Sequence, residues 1–271
     1  MNTAPHALAS RLRIVLVGTQ HPGNIGSAAR AIKTMGLSRL VLVAPEKPPN
    51  AESYSLAAGA DDVLAAAMTH ATLAEAVADC HFVLGCTARS RRVALEELMP
   101  ADAAARAVAR AGQGDEVALV FGRERTGLDN DELQLCHAAV HIPANPEYSS
   151  LNLAMAVQVL AYELRLGLLG GAKGAAEGAP RPHPVTAPSV DEDPDSRTDP
   201  PATHAQLEGF FGQMAEVLDL IDFHKGRVPE SAMRKLRRLF LRADLDEREV
   251  RLLRGILADV ERTVRLGPKP G

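Results

Sequence analysis

Five short apolar runs punctuate the first half of the chain: residues 12–17, "RLVLVAP" (39–45), "HFVLGCT" (81–87), "EVALVFG" (116–122) and "AAVHIP" (138–143). They are rich in β-branched residues, and most end near Gly or Pro, as buried strands do. Helical segments fall between them, at about 24–35, 52–59, 73–79, 95–111 and 130–136. Apolar strands alternating with helices predict an α/β fold in which a parallel sheet is covered on both faces. Ligands of such sheets bind beyond the carboxyl ends of the strands. The residues that follow each run are therefore the ones to read for chemistry.

The alternation stops after an apolar helix expected within 145–169. Residues 169–203 are dominated by Gly, Pro, Ala and acid without apolar periodicity, the composition of a disordered linker. Three amphipathic stretches follow and predict a helical module over 204–271, the second and third at 230–243 and 246–265. A module of that size is marginal alone, so docking or a bound partner would help it. Net charge is −4, weakly against nucleic acid, but the charge is unevenly placed. "KGRVPESAMRKLRRLFLR" (225–242) carries seven basic residues against Glu230 alone. A chain can be acidic overall and still present one basic face to a phosphate backbone. Arg234, Arg238 and Arg242 recur every four residues and form one stripe, beside Lys235 and Arg237, with Leu236, Leu239 and Phe240 on the other side to pack the bundle.

Four segments carry candidate chemistry. "HPGNIGSAARAIKTMG" (21–36) looks like a phosphate loop opening a helix, with Gly36 as its C-cap. Gly18 and Gly23 have the spacing of a Walker A loop, but Asn24 stands where the lysine is needed, and no G-x-G-x-x-G is present. Asn24, Ser27 and Arg30 lie three apart on one polar face. With free amides at the helix start, that face suits an anionic ligand such as a ribose-phosphate; a plain Gly-containing turn is the alternative. "GCTARSRR" (85–92) combines small residues for close backbone approach with Arg89, Arg91 and Arg92, cations that could also be merely solvated. "FGRERTGLDNDEL" (121–133) ends a strand at Gly122, and Asp129 or Asn130 can cap a helix carrying Glu132. That leaves Arg123, Glu124 and Arg125 unexplained, unless they form a local ion-pair cluster. In "IPANPEYSSLNLAMAVQ" (142–158), two prolines keep the chain irregular and Ser149 or Ser150 can cap the next helix.

Other chemistries fit poorly. Cys80, Cys86 and Cys136 lack metal-type spacing, which predicts no metal and a cytoplasmic chain with free thiols. Ser150 has no G-x-S-x-G elbow around it, against a hydrolase. No run approaches the roughly 20 apolar residues of a membrane span, and the N-terminus has no secretory pattern.

Taken in order, "HPGNIGSAARAIKTMGL", "CTARSR", "LVFGRERTGL" and "IPANPEYSSLNLAMAVQV" resemble the SPOUT class of methyltransferases. The resemblance spans roughly residues 12–168 and is closest to the tRNA (cytidine/uridine-2′-O-)methyltransferases that modify position 32 in the anticodon loop. It implies a 1–168 SPOUT domain whose sheet ends in a deep trefoil knot at about 116–168, and a small C-terminal helical RNA-binding domain. It also implies S-adenosylmethionine as cofactor, tRNA as substrate and a homodimer. The family pattern places cofactor contacts on Cys86, Thr87 and Ala88, on Gly122, Arg123 and Glu124, on Ile142, and on Ser149, Ser150 and Leu151. Relatives often have Thr-Ser-Ala at 86–88, so Cys86 would not supply the hydroxyl of the threonine it replaces. Arg30 matches the arginine proposed as general base in this family. A guanidinium is an awkward base, and binding the adjacent phosphate and stabilising a developing alkoxide suits it better. Asn24 and Ser150 would position the hydroxyl. Two alternatives stay open: a methyltransferase for rRNA or another RNA, and a non-catalytic RNA-binding protein.

Overall fold

The computed structural model describes residues 3–88, 95–145, 147, 150–170, 199–226 and 228–266. Seven strands, β1 (Leu12–Val17), β2 (Arg39–Val43), β3 (Met68–His70), β4 (Phe82–Cys86), β5 (Glu96–Leu98), β6 (Val117–Phe121) and β7 (Ala138–Val140), form one parallel sheet. Their order is β3-β2-β1-β6-β4-β7-β5. The helices of this part are α1 (Thr3–Ala9), α2 (Pro22–Thr34), α3 (Ala51–Ala57), α4 (Asp61–Ala65), α5 (Leu73–Ala76), α6 (Pro100–Gly112), α7 (Asn130–Gln134) and α8 (Leu153–Leu168). Side chains alternate across each strand. Leu12, Ile14 and Leu16 join α2, α6 and α8 in one core layer, while Val15 and Val17 join α5 and α7 in the other.

The structure adds to the expected pattern and adjusts it. Residues 96–98, expected within a helix, form the edge strand β5 instead. Pro100 explains this: Met99 before it is extended, and the proline is preorganised for the first turn of α6. The apolar helix begins at Leu153, capped by Asn152, whose side chain accepts from the Ala154 amide at 2.9 Å, and not by Ser150. Asp129 does cap α7, in a reciprocal box with Glu132. Gly36 takes φ +79 just past α2, as a C-terminal glycine should.

The tail forms α9 (His204–Leu220), α10 (Pro229–Ala243) and α11 (Glu247–Leu266) around Leu207, Phe210, Phe211, Met214, Leu241 and Val250. Most of the linker expected at 169–203 lies outside the described residues, but its last residues are ordered. The Ala202 amide donates to Leu245 O at 2.9 Å, and Thr203 caps α9. The tail also rests on the sheet domain: the amides of His204 and Ala205 donate to Cys80 O at 2.8 Å and Ala78 O at 3.0 Å.

Candidate active site

Beyond the carboxyl ends of β4, β6 and β7 lies a cavity of about 520 Å³. β4 delivers Cys86, Thr87 and Ala88, β6 delivers Phe121, Gly122, Arg123 and Glu124, β7 delivers Val140 and Ile142, and the entry to α8 delivers Ser150 and Leu151. These stretches are far apart in sequence and meet because β6 and β7 flank β4 on either side. Gly122 is a steric requirement: a Cβ there would sit 2.1 Å from Gly127 C and Leu128 N. Its neighbour Arg123 closes the turn, exchanging backbone hydrogen bonds with Gly127. The Arg123 guanidinium is clamped to Glu132 at 3.0 Å, and lies against Gly18, where φ is +58. Burial pushes the Cys86 thiol well above its usual range. It is a neutral wall of the cavity.

The glycine-containing loop before α2 already holds an anion, and that anion is Glu124. Its carboxylate accepts from the amides of Gln20 and His21, the shortest at 3.0 Å, and from Asn24 Nδ2 at 2.8 Å. Desolvation works against this charge, but the Asn24 side chain and the loop amides outweigh it and hold the carboxyl below its usual range. The loop amides expected to meet a ligand phosphate are therefore occupied by the chain itself. Asn24 Oδ1 in turn accepts from Asn152 Nδ2 at 3.0 Å, tying α2 to the cap of α8. Gly26 serves packing: a Cβ there would lie 2.0 Å from Ser53 O in α3. Arg30 stands exposed two turns into α2 and forms no ion pair among the described residues.

The model of the SpoU rRNA Methylase family matches residues 11–162. The chain belongs to that family. A second model, the tRNA methyltransferase TrmJ C-terminal domain, matches residues 205–269 of this SpoU methylase. Tail and sheet domain thus carry separate family signatures. The tRNA (cytidine/uridine-2′-O-)-methyltransferase TrmJ of Salmonella typhimurium is 47% identical over 256 residues, covering 94% of this chain and 98% of its own. The same-named protein of Cronobacter sakazakii is 47% identical over 254 residues, covering 94% and 97%. A solved structure of TrmJ from Z. mobilis ZM4 superposes with a TM-score of 0.74 at 36% identity, over 92% of this chain and 98% of that one.

Within this SpoU methylase, nine of the ten residues expected at the cofactor line this cavity; the tenth, Ser149, lies outside the described residues, as do Arg89, Arg91 and Arg92. On α10, Arg234, Lys235, Arg238 and Arg242 are exposed. Arg237 departs from the expectation. It is turned inward, paired with Glu208 and stacked 4.6 Å from the Phe211 ring centroid. Leu239, expected in the bundle, is half exposed on the margin of an open groove between α10 and α11. Sequence reasoning missed Asn152 as the cap joined to Asn24; its only signal was an Asn two residues before Ala154 at a helix start. It also missed Asp129 and Thr126 as cavity residues. For Asp129, capping is already a sufficient reason to be there.

Proposed function

We propose that this chain is an S-adenosylmethionine-dependent methyltransferase that modifies the ribose 2′-hydroxyl of cytidine or uridine at position 32 of tRNA. The reading is carried by the convergence of four separated segments on one cavity, in a chain 47% identical to proteins named for tRNA (cytidine/uridine-2′-O-)-methylation. The cavity suits the cofactor. Gly122 lets the 127–128 peptide close against the end of β6, Val140, Ile142, Leu151 and Leu153 give apolar walls, and Glu124 and Asp129 supply carboxylates for a cationic group. When bound, the cofactor supplies a sulfonium methyl, a good electrophile. The chain's own residues do the rest. Glu124 holds Asn24 by its Nδ2, and Asn152 holds it by its Oδ1, so the start of α2 is fixed against the cavity. Arg30, on the same polar face, binds the RNA phosphate and stabilises charge developing on the 2′-oxygen. Ser150 positions the hydroxyl at the cavity rim.

Residues 1–168 act as the methyltransferase domain, threaded as the SPOUT knot, and the tail from 204 grips the RNA. The chain works as a homodimer. Met155, Tyr162 and Leu169, seven residues apart along α8, present one exposed apolar strip suited to a second copy. Among the described residues no helix is long and apolar enough to cross a membrane.

The decisive test is mapping of 2′-O-methylation in tRNA from cells lacking the protein, with S-adenosylmethionine titrated into the purified chain. Unchanged modification at position 32 overturns the reading. In the same assay Arg30→Ala should lose most single-turnover activity, about 100-fold, with cofactor affinity unchanged. Near-normal turnover would remove Arg30 from its role.

A further inference from the structure

One basic residue of α10 points the wrong way for RNA, and its surroundings say what it does. Arg237 Nε donates to Gln134 O, at the end of α7, at 2.9 Å, and its guanidinium is paired with Glu208 of α9 and stacked over Phe211. The C-terminal end of α10 is held too. Asp244, just past its last turn, pairs with Arg110 of α6. α9 begins on the backbone of Ala78 and Cys80. α10 is therefore tied to the sheet domain at its middle and just past its C-terminal end. The element gripped by Arg237 is also the element that shapes the cavity. α7 starts at Asp129 in the cavity wall, and its Glu132 clamps Arg123, which lines the same cavity.

We propose that Arg237 is a positioning residue: it locks α10 onto α7, so that the exposed stripe Arg234, Arg238 and Arg242 is held at a set distance and angle from the cavity. The tail is then a gauge, delivering one ribose of a folded RNA to the cavity. A tail that served only as a tether would raise local concentration without choosing a position. The inference rests on the RNA-methylating reading above, and the chemistry it adds is selection by geometry. Removing an arginine from the stripe should weaken binding, whereas removing Arg237 should leave binding and misplace the ribose.

The test uses the full chain carrying Arg237→Met, which keeps the length of the stem without the charge, beside Arg237→Lys. Asp244→Asn, which removes the charge, keeps a residue that tolerates the left-handed backbone and leaves Arg110 its buried partner Asp115, loosens the other tie. Docking is read by hydrogen exchange of the Ala205 amide, which donates to Ala78 O. Expected for Arg237→Met are faster exchange, tRNA affinity and salt dependence within about twofold of the parent, and a single-turnover rate at saturating tRNA lower by about tenfold or more. Methylation should also spread to neighbouring pyrimidines. Arg237→Lys should recover part of the rate, and Asp244→Asn should shift exchange, rate and position in the same direction as Arg237→Met. Faster exchange with unchanged rate and position would make the tail a tether and overturn the proposal. A parallel fall in affinity and salt slope would make Arg237 an RNA contact and overturn it equally. Should Arg237→Met not fold, Asp244→Asn decides by the same readouts. A parent chain that methylates no tRNA would instead sink the functional reading, while the exchange data would still report the docking.

Discussion

At the scale of single residues, this site is organised by what cannot be larger and by what cannot be neutral. Gly122 has backbone from the 127–128 peptide where its Cβ would be. Gly122→Ala should cost about 1–3 kcal/mol by overpacking, lower the melting temperature and weaken S-adenosylmethionine binding, as calorimetry would read. Gly112 is the control: nothing lies within 4 Å of its added Cβ and it closes a helix, so Ala there should be neutral or mildly stabilising. Equal effects at the two positions would deny Gly122 its part in shaping the cavity. Glu124 is the complementary case. Charged, it fills the amides that a phosphate would otherwise take; under the proposed function the RNA phosphate then falls to Arg30, the α2 cation without an ion pair among the described residues, Lys33 being paired with Asp62.

Among the elements, α2 and α10 divide their faces differently. α2 buries Ile25, Ala28, Ala29 and Ile32 and leaves Arg30 to solvent. α10 buries Leu241, spends Arg237 on docking and exposes its other cations. Removing one cation from the phosphates it neutralises flattens the log–log salt dependence of binding by somewhat under one unit. Replacing Arg234, Arg238 and Arg242 together with Gln should thus weaken tRNA binding and lower the slope by about two units, with cofactor affinity unchanged. A triple variant with the parent's salt slope would reduce the stripe to a solvated face. α10 would then matter only through its docking.

On the scale of the whole molecule, tail and sheet domain meet over a buried histidine, His204, and a partly buried one, His137. His204 is 1% exposed, 3.5 Å from Glu208. Burial first, then the charges of His137 and Arg237, lowers its pKa to about 3. His137, whose Nδ1 accepts from the Val83 amide at 3.1 Å, is lowered to about 4 by burial first and then by Arg110. In the unfolded chain both would take a proton near pH 6.5. Between that value and their native ones the unfolded state binds more protons, so stability is full above about pH 7 and falls as pH drops toward 4. His204 alone should cost about 2 kcal/mol by pH 5, seen as a lower melting temperature than at pH 7.5. His204→Gln should flatten that drop. A melting temperature independent of pH over this range would mean that the junction opens before the rest unfolds.

The local periodicities and motif blocks were enough for five of the seven strands, the longer helices and about half of the cavity lining; the short edge strands β3 and β5 carry too few residues to show a period. Strand patterns are set by near neighbours, and a parallel sheet gathers the carboxyl ends of its strands on one side whatever their order. Three things needed the tertiary structure. β6 lies between β1 and β4, so residues 86–88 and 121–124 share one wall. Glu124, a hundred residues from Asn24, occupies the loop amides that looked open to a phosphate. Arg237 faces inward while Leu239 faces out. Each depends on a partner that no window of neighbouring residues contains. A charge beside an arginine stripe reads as RNA contact until Glu208, Phe211 and Gln134 are brought to it by the packing of the tail on the sheet domain.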